Sequence, residues 1–429
     1  MEPKTAVTIS VFIAYLIDNL LLTVVVPILP IVLVSKNVSH HGVEKNSATE
    51  TAKPLSESIH AHHRADSEVG FVFAVKPLVQ LVANPIVGRI LPRLEFRNLE
   101  CVILAASDKY EIIVIARVTH GVSSAFALIS GMALMASCYE DQCERSRAMG
   151  IALSGMATGV LIGYPFGGLV YQYSDASTAF TMLSVFITCC CACQMLLLKL
   201  SDVQYKNALR ENDSYLNLLK DSFIQMVTGC IGVSTTAIAL LEPCEPIWLE
   251  STIKPNIWQI GFAFIPDSIG YLLGTSVLSR YTAQMNRFKC VAASLGTIGV
   301  SLTIIPYVKA MWHLIFPHFG IGLGVAAIDV CLMPLLADYV DQAEQGNYGI
   351  VYALIQTTVC TSYFLGPLFG GWLMDVIGFR WVLHTLSVTN ILFAFYAQYE
   401  SQQFSSFTEY KRMLPEEYDG DEENTALKD

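Results

Sequence analysis

Six ionisable side chains interrupt long apolar stretches of this 429-residue sequence, and their types could support ion or substrate binding. An acidic side chain at the centre of a lipid-embedded helix costs about 2.5–3.5 kcal/mol on insertion scales, so such residues normally pair with one another or face a wet cavity. Each of them could instead lie near a helix end and extend to the bilayer surface. The six are Asp18, Lys76, Arg117, Glu242, Asp267 and Asp329.

The charges and aromatic rings of this set favour a site for a cation. Four acids against two bases leave an excess of negative charge, which predicts binding of an organic cation or of protons. Phe264, Asp267 and Tyr271 are spaced to share one helix face. A protonated amine over an aromatic ring gains about 0.5–2 kcal/mol. Trp248 has an equally good alternative role as an interface residue near a helix end.

The composition predicts that membrane-spanning helices carry these residues. The chain is 53% hydrophobic and 15% charged, with a mean hydropathy of +0.48, which is typical of a polytopic all-α membrane protein. Little chain remains outside the predicted spans, so we expect no soluble catalytic domain and no enzymatic activity. Windows of about 20 residues predict eleven spans: 6–34, 68–88, 111–137, 149–173, 178–198, 223–249, 258–279, 289–309, 313–337, 348–374 and 380–399.

A twelfth span is expected near residues 98–110 but is too short to cross a bilayer. The segment NLECVILAASDKYE has only six consecutive apolar residues, Cys101 to Ala106. We therefore expect two six-helix halves in which the third helix is truncated. The predicted units are an N-terminal half (1–198), a central cytosolic loop (199–222), a C-terminal half (223–400) and an acidic tail (401–429).

An internal repeat supports this division into halves. GVLIGYPFGGLVY (159–171) and YFLGPLFGGWLMD (363–375) have Gly, Pro and Gly-Gly at similar spacing. Small residues allow close helix contact and proline bends a helix, so both segments are candidates for gating, with ordinary helix packing as the alternative. The gating or packing candidates are Gly163, Pro165, Gly167, Gly366, Pro367 and Gly370.

The loops and termini predict orientation and partners. Lys and Arg are more frequent in loops that a cytosolic N-terminus would place in the cytosol. The opposite loop, 35–67, carries a glycosylation sequon at Asn37 and a histidine-rich HAHH segment, for which metal binding is the minor alternative to a simple polar loop. We expect no metal site and no cofactor. The net charge of -11, partly from a tail that we expect to be disordered, argues against nucleic-acid binding.

Several motifs resemble the vesicular amine transporters of the major facilitator superfamily. They include LIDNLLLTVVVPILP, FVFAVKPLVQLVANPIVG, IARVTHGVSSA and AAIDVCLMPLLADYVD. LLLTVVVPILP, EPCEPIW and FIPDSIGYLLGT are more similar to the monoamine branch than to the acetylcholine branch. The resemblance implies a multi-pass proton antiporter with cytosolic termini. It would load monoamines such as serotonin, dopamine or histamine into acidic secretory or synaptic vesicles by alternating access.

The resemblance also implies roles for individual residues. Asp18 would pair with the amine, beside Asn19, and Glu242 would be a further acidic contact. Tyr271 and Tyr363 would line the cavity. The charge network that couples protonation to gating would contain Lys76, Arg117 and Asp329, and EYKRML (409–414) resembles a signal that binds sorting adaptors.

Four departures from the family pattern leave alternatives open. The third span is short, the paired luminal cysteines are absent, Ala343 and Glu344 replace a basic pair, and Gln356 replaces an aspartate expected to pair with Lys76. Lys76 must then rely on Asp18, Asp329 or water, or titrate lower. Restoring an acid at position 356 should raise activity if the missing ion pair is limiting. A same-fold transporter of acetylcholine, polyamines or drugs, or a shortened product that does not transport, remains an alternative.

Overall fold

The described chain folds into long helices. The computed structural model describes residues 3–40, 55–90, 110–200, 218, 220–255, 259, 262–282, 285–342 and 348–413, and this part contains helix and no strand. The helices are α1 (Pro3–His40), α2 (Leu55–Ile90), α3 (Tyr110–Cys138), α4 (Gln142–Tyr173), α5 (Ala176–Leu200), α6 (Ser222–Thr252), α7 (Ile265–Leu273), α8 (Arg287–Ile304), α9 (Ile315–Gln342), α10 (Tyr348–Ile377) and α11 (Phe379–Met413).

Short non-α segments connect some of these helices. A π-helical turn, Gly274–Leu278, continues α7. Two 3₁₀ turns, Ile305–Tyr307 and Met311–Leu314, lie between α8 and α9. Helical geometry throughout satisfies the backbone N–H and C=O groups internally, as a lipid environment requires.

Each of the eleven predicted spans overlaps one of these helices, although α7 covers only part of 258–279, whose beginning lies largely outside the described residues. Among the described residues, nine are long and apolar enough to cross a membrane. Helices α7 and α11 are the other two. Helix α7 is short and follows residues that lie outside the described part of the chain. Helix α11 carries polar residues such as His384 and Asn390 and continues into a polar segment. The all-α membrane architecture is confirmed.

Some helices are longer than the sequence predicted. Helix α1 ends at His40 and α2 begins at Leu55, so both ends of the loop predicted at 35–67 are helical. Helix α11 reaches Met413, so the beginning of the predicted disordered tail is helical too. A polar sequence does not end a helix by itself, because polar residues such as Lys, Glu, Gln and Arg have high intrinsic helix propensity. The weak third span, except Tyr110, falls outside the described residues.

The two halves use equivalent helix pairs. Helix α1 packs along α4, and α6 packs along α10 in the same manner. A Cβ atom at Gly163 on α4 would collide with Thr23 on α1, and one at Gly366 on α10 would lie 2.7 Å from the carbonyl oxygen of Ala239 on α6. Helices α2 and α3 with α10, and α4 with α7 and α9, form the main contacts between the described parts of the halves. The site described below lies between these helices.

The outer surface of the bundle is apolar. Large hydrophobic side chains are exposed on α5 and α11, among them Phe186, Met195, Leu392 and Phe395. An apolar surface of this extent is typical of lipid contact rather than of contact with water. In the C-terminal half, α8 packs against both α9 and α11.

Candidate functional site

A cavity of about 170 Å³ lies between the two halves. At the roughly 30 Å³ that one water molecule occupies in the liquid, it has room for about six water molecules, and therefore for a small organic molecule. Leucine, methionine, valine and isoleucine side chains form its apolar walls. Its polar and aromatic lining consists of Tyr15, Asn19, Thr235, Glu242, Asp267, Ser268, Tyr271, Asp329, Tyr352, Gln356 and Tyr363.

The cavity carries negative charge. Glu242, Asp267 and Asp329 reach it from α6, α7 and α9, and no Lys, Arg or His belongs to the described lining. The Tyr271 hydroxyl donates a hydrogen bond to Oδ2 of Asp329 at 2.7 Å. The ring of Tyr363 lines the same space. Carboxylates and aromatic faces in an apolar enclosure attract organic cations, and nothing in the described lining supplies a competing positive charge.

Asp18 lies outside this lining, in a buried charge network of the N-terminal half. Its side chain has only 3% exposure. Lys76 Nζ lies 3.1 Å from Asp18 Oδ2, and Ser124 donates a hydrogen bond to Oδ1. His120 Nε2 lies 3.3 Å from the same Oδ1 atom. Of the three partners considered for Lys76, namely Asp18, Asp329 and water, Asp18 is the one that contacts it in this structure. The neighbouring Asn19 lines the cavity.

Arg117 joins this network through His120. Arg117 Nη1 lies 3.1 Å from His120 Nδ1, and its guanidinium lies over the Phe73 ring at 5.8 Å. Because arginine can only donate, Nδ1 accepts, and the imidazole carries its proton on Nε2, which faces Asp18. The order is therefore Arg117, His120, Asp18, Lys76. Our sequence reading did not select His120, although its position three residues after Arg117 places both on one helix face.

The residues predicted as one coupling network occupy two places. Lys76 and Arg117 surround Asp18, whereas Asp329 faces the cavity with Glu242 and the bonded Tyr271. Gln356 also lines the cavity, and its amide donates to Cys360 Sγ at 3.8 Å. The charged groups thus form a buried cluster in the N-terminal half and a cavity-facing group in the C-terminal half.

Ion pairs join the two halves at one end of the bundle. Arg145 Nη1 on α4 lies 3.0 Å from Asp338 on α9 and 2.7 Å from Asp341. Arg287 on α8 lies 2.8 Å from the other oxygen of Asp338. Our sequence reading used both arginines only to orient the chain. Their positions at loop boundaries did not reveal that the fold buries them around one acid.

Close backbone packing accompanies these ion pairs. A Cβ atom at Gly150 would collide with Cβ of Ser279, and one at Gly88 would lie 2.6 Å from Cβ of Ala353. Both contacts join the two halves near the same helix ends as Arg145. We call this end of the bundle the Arg145 end. At this end, the described helices of the two halves are in close contact.

The opposite end contains a second buried charged pair. His318 Nε2 on α9 lies 2.9 Å from Glu245 Oε1 on α6, and the two side chains have 2% and 0% exposure. The Phe264 ring packs edge-on against the imidazole, with centroids 5.3 Å apart. Our sequence reading selected neither member of this pair. The signal was present in EPCEP, where a second acid follows Glu242 by three residues.

The gating candidates are packing positions in this structure. Pro165 and Pro367 lie inside α4 and α10, and Gly370 faces Cys244 and Leu240. Their gating role, and that of the buried Gly167, stays a prediction. The side chains of Asn37, Ala343, Glu344 and all of EYKRML lie outside the described side chains, so glycosylation and sorting also stay predictions.

Comparison with known proteins assigns the family. The sequence profile of the Major Facilitator Superfamily matches residues 9–242 and 227–401. The crystal structure of the human organic anion transporter MFSD10 (TETRAN) is similar in fold, with a TM-score of 0.73 and 15% identity over 92% of this chain and 100% of that chain. At this identity the likeness concerns the fold alone.

Curated relatives are similar over nearly the whole chain. The synaptic vesicular amine transporter of Rattus norvegicus is 33% identical over 90% of this chain and 85% of its own. The chromaffin granule amine transporter of Homo sapiens is 31% identical, covering 91% and 86%. The probable vesicular acetylcholine transporter-A of Danio rerio is 30% identical, covering 91% and 77%. These proteins are transporters rather than enzymes, and the chain belongs to the vesicular amine transporter family of the Major Facilitator Superfamily.

Proposed function

We propose that this protein is a proton-coupled antiporter that loads cationic monoamines such as serotonin, dopamine or histamine into acidic secretory or synaptic vesicles. The observation that carries the proposal is the cavity, where three carboxylates and several tyrosines meet with no basic residue in the described lining. A protonated amine supplies the missing positive charge, and its apolar body fits against the methionine and aliphatic walls.

Different cavity residues contact different parts of the amine. Glu242 and Asp329 hold the ammonium group, while Tyr271 and Tyr363 present ring faces to it. Asn19 offers an amide beside them. Asp18 is held by Lys76 at 3.1 Å, so its pairing with the amine requires Lys76 to withdraw. We therefore place Asp18, Lys76 and Arg117 in a network whose ion pairs change during the transport cycle.

Proton coupling follows from competition for the same carboxylates. Protonation of a cavity acid on the acidic side removes the charge that holds the amine, and each unit of pKa difference supplies about 1.4 kcal/mol of bias. The two halves then rock around the site. In the present conformation the Arg145 end is closed, so opening there requires the Arg145–Asp338 pair to separate.

We place the Arg145 end on the cytosolic side, with both termini in the cytosol. This orientation puts the Glu245 end in the vesicle lumen, together with Asn37 as a glycosylation acceptor. The segment 409–414 then lies where sorting adaptors could bind it.

Transport by the reconstituted full-length protein tests this proposal. Proteoliposomes with an acidic interior should accumulate labelled serotonin, and a protonophore should abolish accumulation. Glu242→Gln and Asp329→Asn should each lower uptake at least tenfold. Lys4→Gln, which removes an exposed ion pair with Glu144, should leave uptake within twofold. Uptake that does not depend on the pH gradient would contradict the antiport mechanism.

The same assay separates the alternatives. Accumulation of acetylcholine or spermine in place of serotonin would assign the protein to a same-fold transporter of another cation. Failure of every cation to accumulate, with correctly folded protein, would support a chain that does not transport by itself.

A further inference from the structure

Burying the Glu245–His318 pair inside the bundle costs free energy. The two side chains are almost completely buried and their charged atoms lie 2.9 Å apart. Removing a carboxylate and an imidazolium from water carries a large desolvation penalty, and apolar residues of similar size often pack an interior equally well. Ionisable residues retained inside a membrane bundle commonly belong to proton or ion pathways. The pair therefore calls for a role other than packing.

The pair is only partly satisfied by hydrogen bonds. Glu245 Oε1 contacts His318, but Oε2 is buried with no hydrogen-bond partner among the described residues. A purely structural ion pair is stable when its remaining lone pairs are also bonded. Oε2 is thus a free, buried acceptor on a carboxylate, which is where an added proton would bind.

Neighbouring acids connect the pair to the cavity. Glu242 and Glu245 are three residues apart on α6 and so lie on adjacent turns of one face. Asp267 on α7 interacts electrostatically with both His318 and Glu242, and it lines the cavity. Its Oδ1 atom also has no hydrogen-bond partner in the described part of the chain.

The described surroundings of His318 contain few other polar groups. Among the described residues, Glu245 on α6 and Asp267 on α7 are the titratable groups that interact with it electrostatically. From α8, the side chains of Thr297 and Ser301 approach Gly320, two residues further along α9, and neither is charged. Of these two acids, Asp267 also lines the cavity, so it connects His318 with the proposed amine site.

We propose that Glu245 and His318 form a proton-binding site of the transport cycle, separate from the carboxylates that contact the amine. This inference rests on the proposed antiport function.

In the resting state the Glu245–His318 pair shares one proton and has no net charge. A second proton, taken up from the acidic side, adds to Glu245 Oε2, and His318 stays an imidazolium. The pair then carries one positive charge beside Asp267, which competes with the bound amine and promotes its release. The added proton leaves towards the opposite side, so one proton enters and one leaves in each cycle.

Two transport assays on the full-length protein in proteoliposomes test the coupling role. One measures net serotonin uptake driven by a pH gradient, and the other measures exchange of labelled for unlabelled serotonin at equal pH. Glu245→Gln and the double variant Glu245→Gln/His318→Gln should lower net uptake at least tenfold and keep exchange within twofold. The double variant Glu245→His/His318→Glu retains one carboxylate and one imidazole and should recover much of the net uptake. Glu144→Gln, an exposed carboxylate elsewhere, is the matched control.

A transport-independent measurement tests proton binding itself. Infrared difference spectra between neutral and acidic pH should show C=O bands of protonated carboxyl groups, and Glu245→Gln should remove one of them while the bands of the cavity acids remain. If this variant retains every band of the wild-type protein, or if exchange and net uptake fall equally, the proposal is overturned. If wild-type protein shows the Glu245 band but moves no amine, the proton site stands and the monoamine antiport proposal fails.

Discussion

Lys76 Nζ on α2 lies 3.1 Å from Asp18 Oδ2 on α1, and both side chains are buried. Removal of one member of such a pair leaves an uncompensated charge, which typically costs about 3–5 kcal/mol. We expect Asp18→Asn to lower the free energy of unfolding by a similar amount, which should appear as a lower thermal unfolding midpoint of the detergent-solubilised protein. Lys76→Met in the Asp18→Asn background should recover much of the loss. A double variant less stable than Asp18→Asn alone would show that the lone ammonium is not the cause.

The same ion pair changes the expectation for Gln356. Because Asp18 already balances Lys76, an acid at position 356 is not needed for this purpose, and it would add a fourth carboxylate to the cavity. We expect Gln356→Asp to leave serotonin uptake unchanged or lower, with Gln356→Asn as the control for side-chain length. An increase in uptake confined to Gln356→Asp would show that the ion pair to Asp18 is insufficient.

The Arg145–Asp338 contact should control opening at its end of the bundle. Arg145→Gln removes ion pairs at 3.0 and 2.7 Å that join the two halves, so the closed arrangement should lose population. Electron–electron distance measurements between spin labels at Glu140→Cys and Lys289→Cys, in a background without native cysteines, should show a longer distance. Lys4→Gln removes an exposed pair within one half and should leave the distance unchanged.

The hydrogen bond from Tyr271 to Asp329 should matter more than the hydroxyl of Tyr363. Tyr271→Phe removes a 2.7 Å bond to a carboxylate, and such bonds contribute about 1.5–3 kcal/mol. We expect serotonin affinity, measured by equilibrium binding, to change at least fivefold. Tyr363→Phe keeps the ring of a residue whose hydroxyl bonds to no described group, and it should change affinity less than twofold. Equal effects of the two substitutions would contradict the assignment.

Close helix contact at Gly366 predicts a sensitive position. An alanine Cβ would lie 2.7 Å from the carbonyl oxygen of Ala239, and overpacking of this kind costs about 1–3 kcal/mol. Gly168→Ala is the matched control, because no atom outside its own helix lies within 4 Å of that Cβ. We expect Gly366→Ala to lower the thermal midpoint and Gly168→Ala to leave it unchanged or raise it slightly, since alanine favours helix.

The sequence by itself determined the class of protein and the set of charges. Apolar runs of about 20 residues must form helices in lipid, because no other local structure satisfies the backbone there, and all eleven predicted spans overlap helices. Asp18, Lys76 and Glu242 were recognisable because a charge inside an apolar run is costly wherever the helix packs. The repeated glycines likewise indicated the equivalent close contacts at Gly163 and Gly366.

Only the tertiary structure decided which charges meet. Asp18 is paired with Lys76 away from the cavity, while Asp267 faces it, and no spacing along one helix specifies contacts with another. His120, Arg145 and the Glu245–His318 pair became apparent only in three dimensions, because their partners lie on helices far away in the sequence. Helix formation is local and can be read from periodicity, whereas ion pairing depends on helix rotation and packing, which are fixed by the whole bundle.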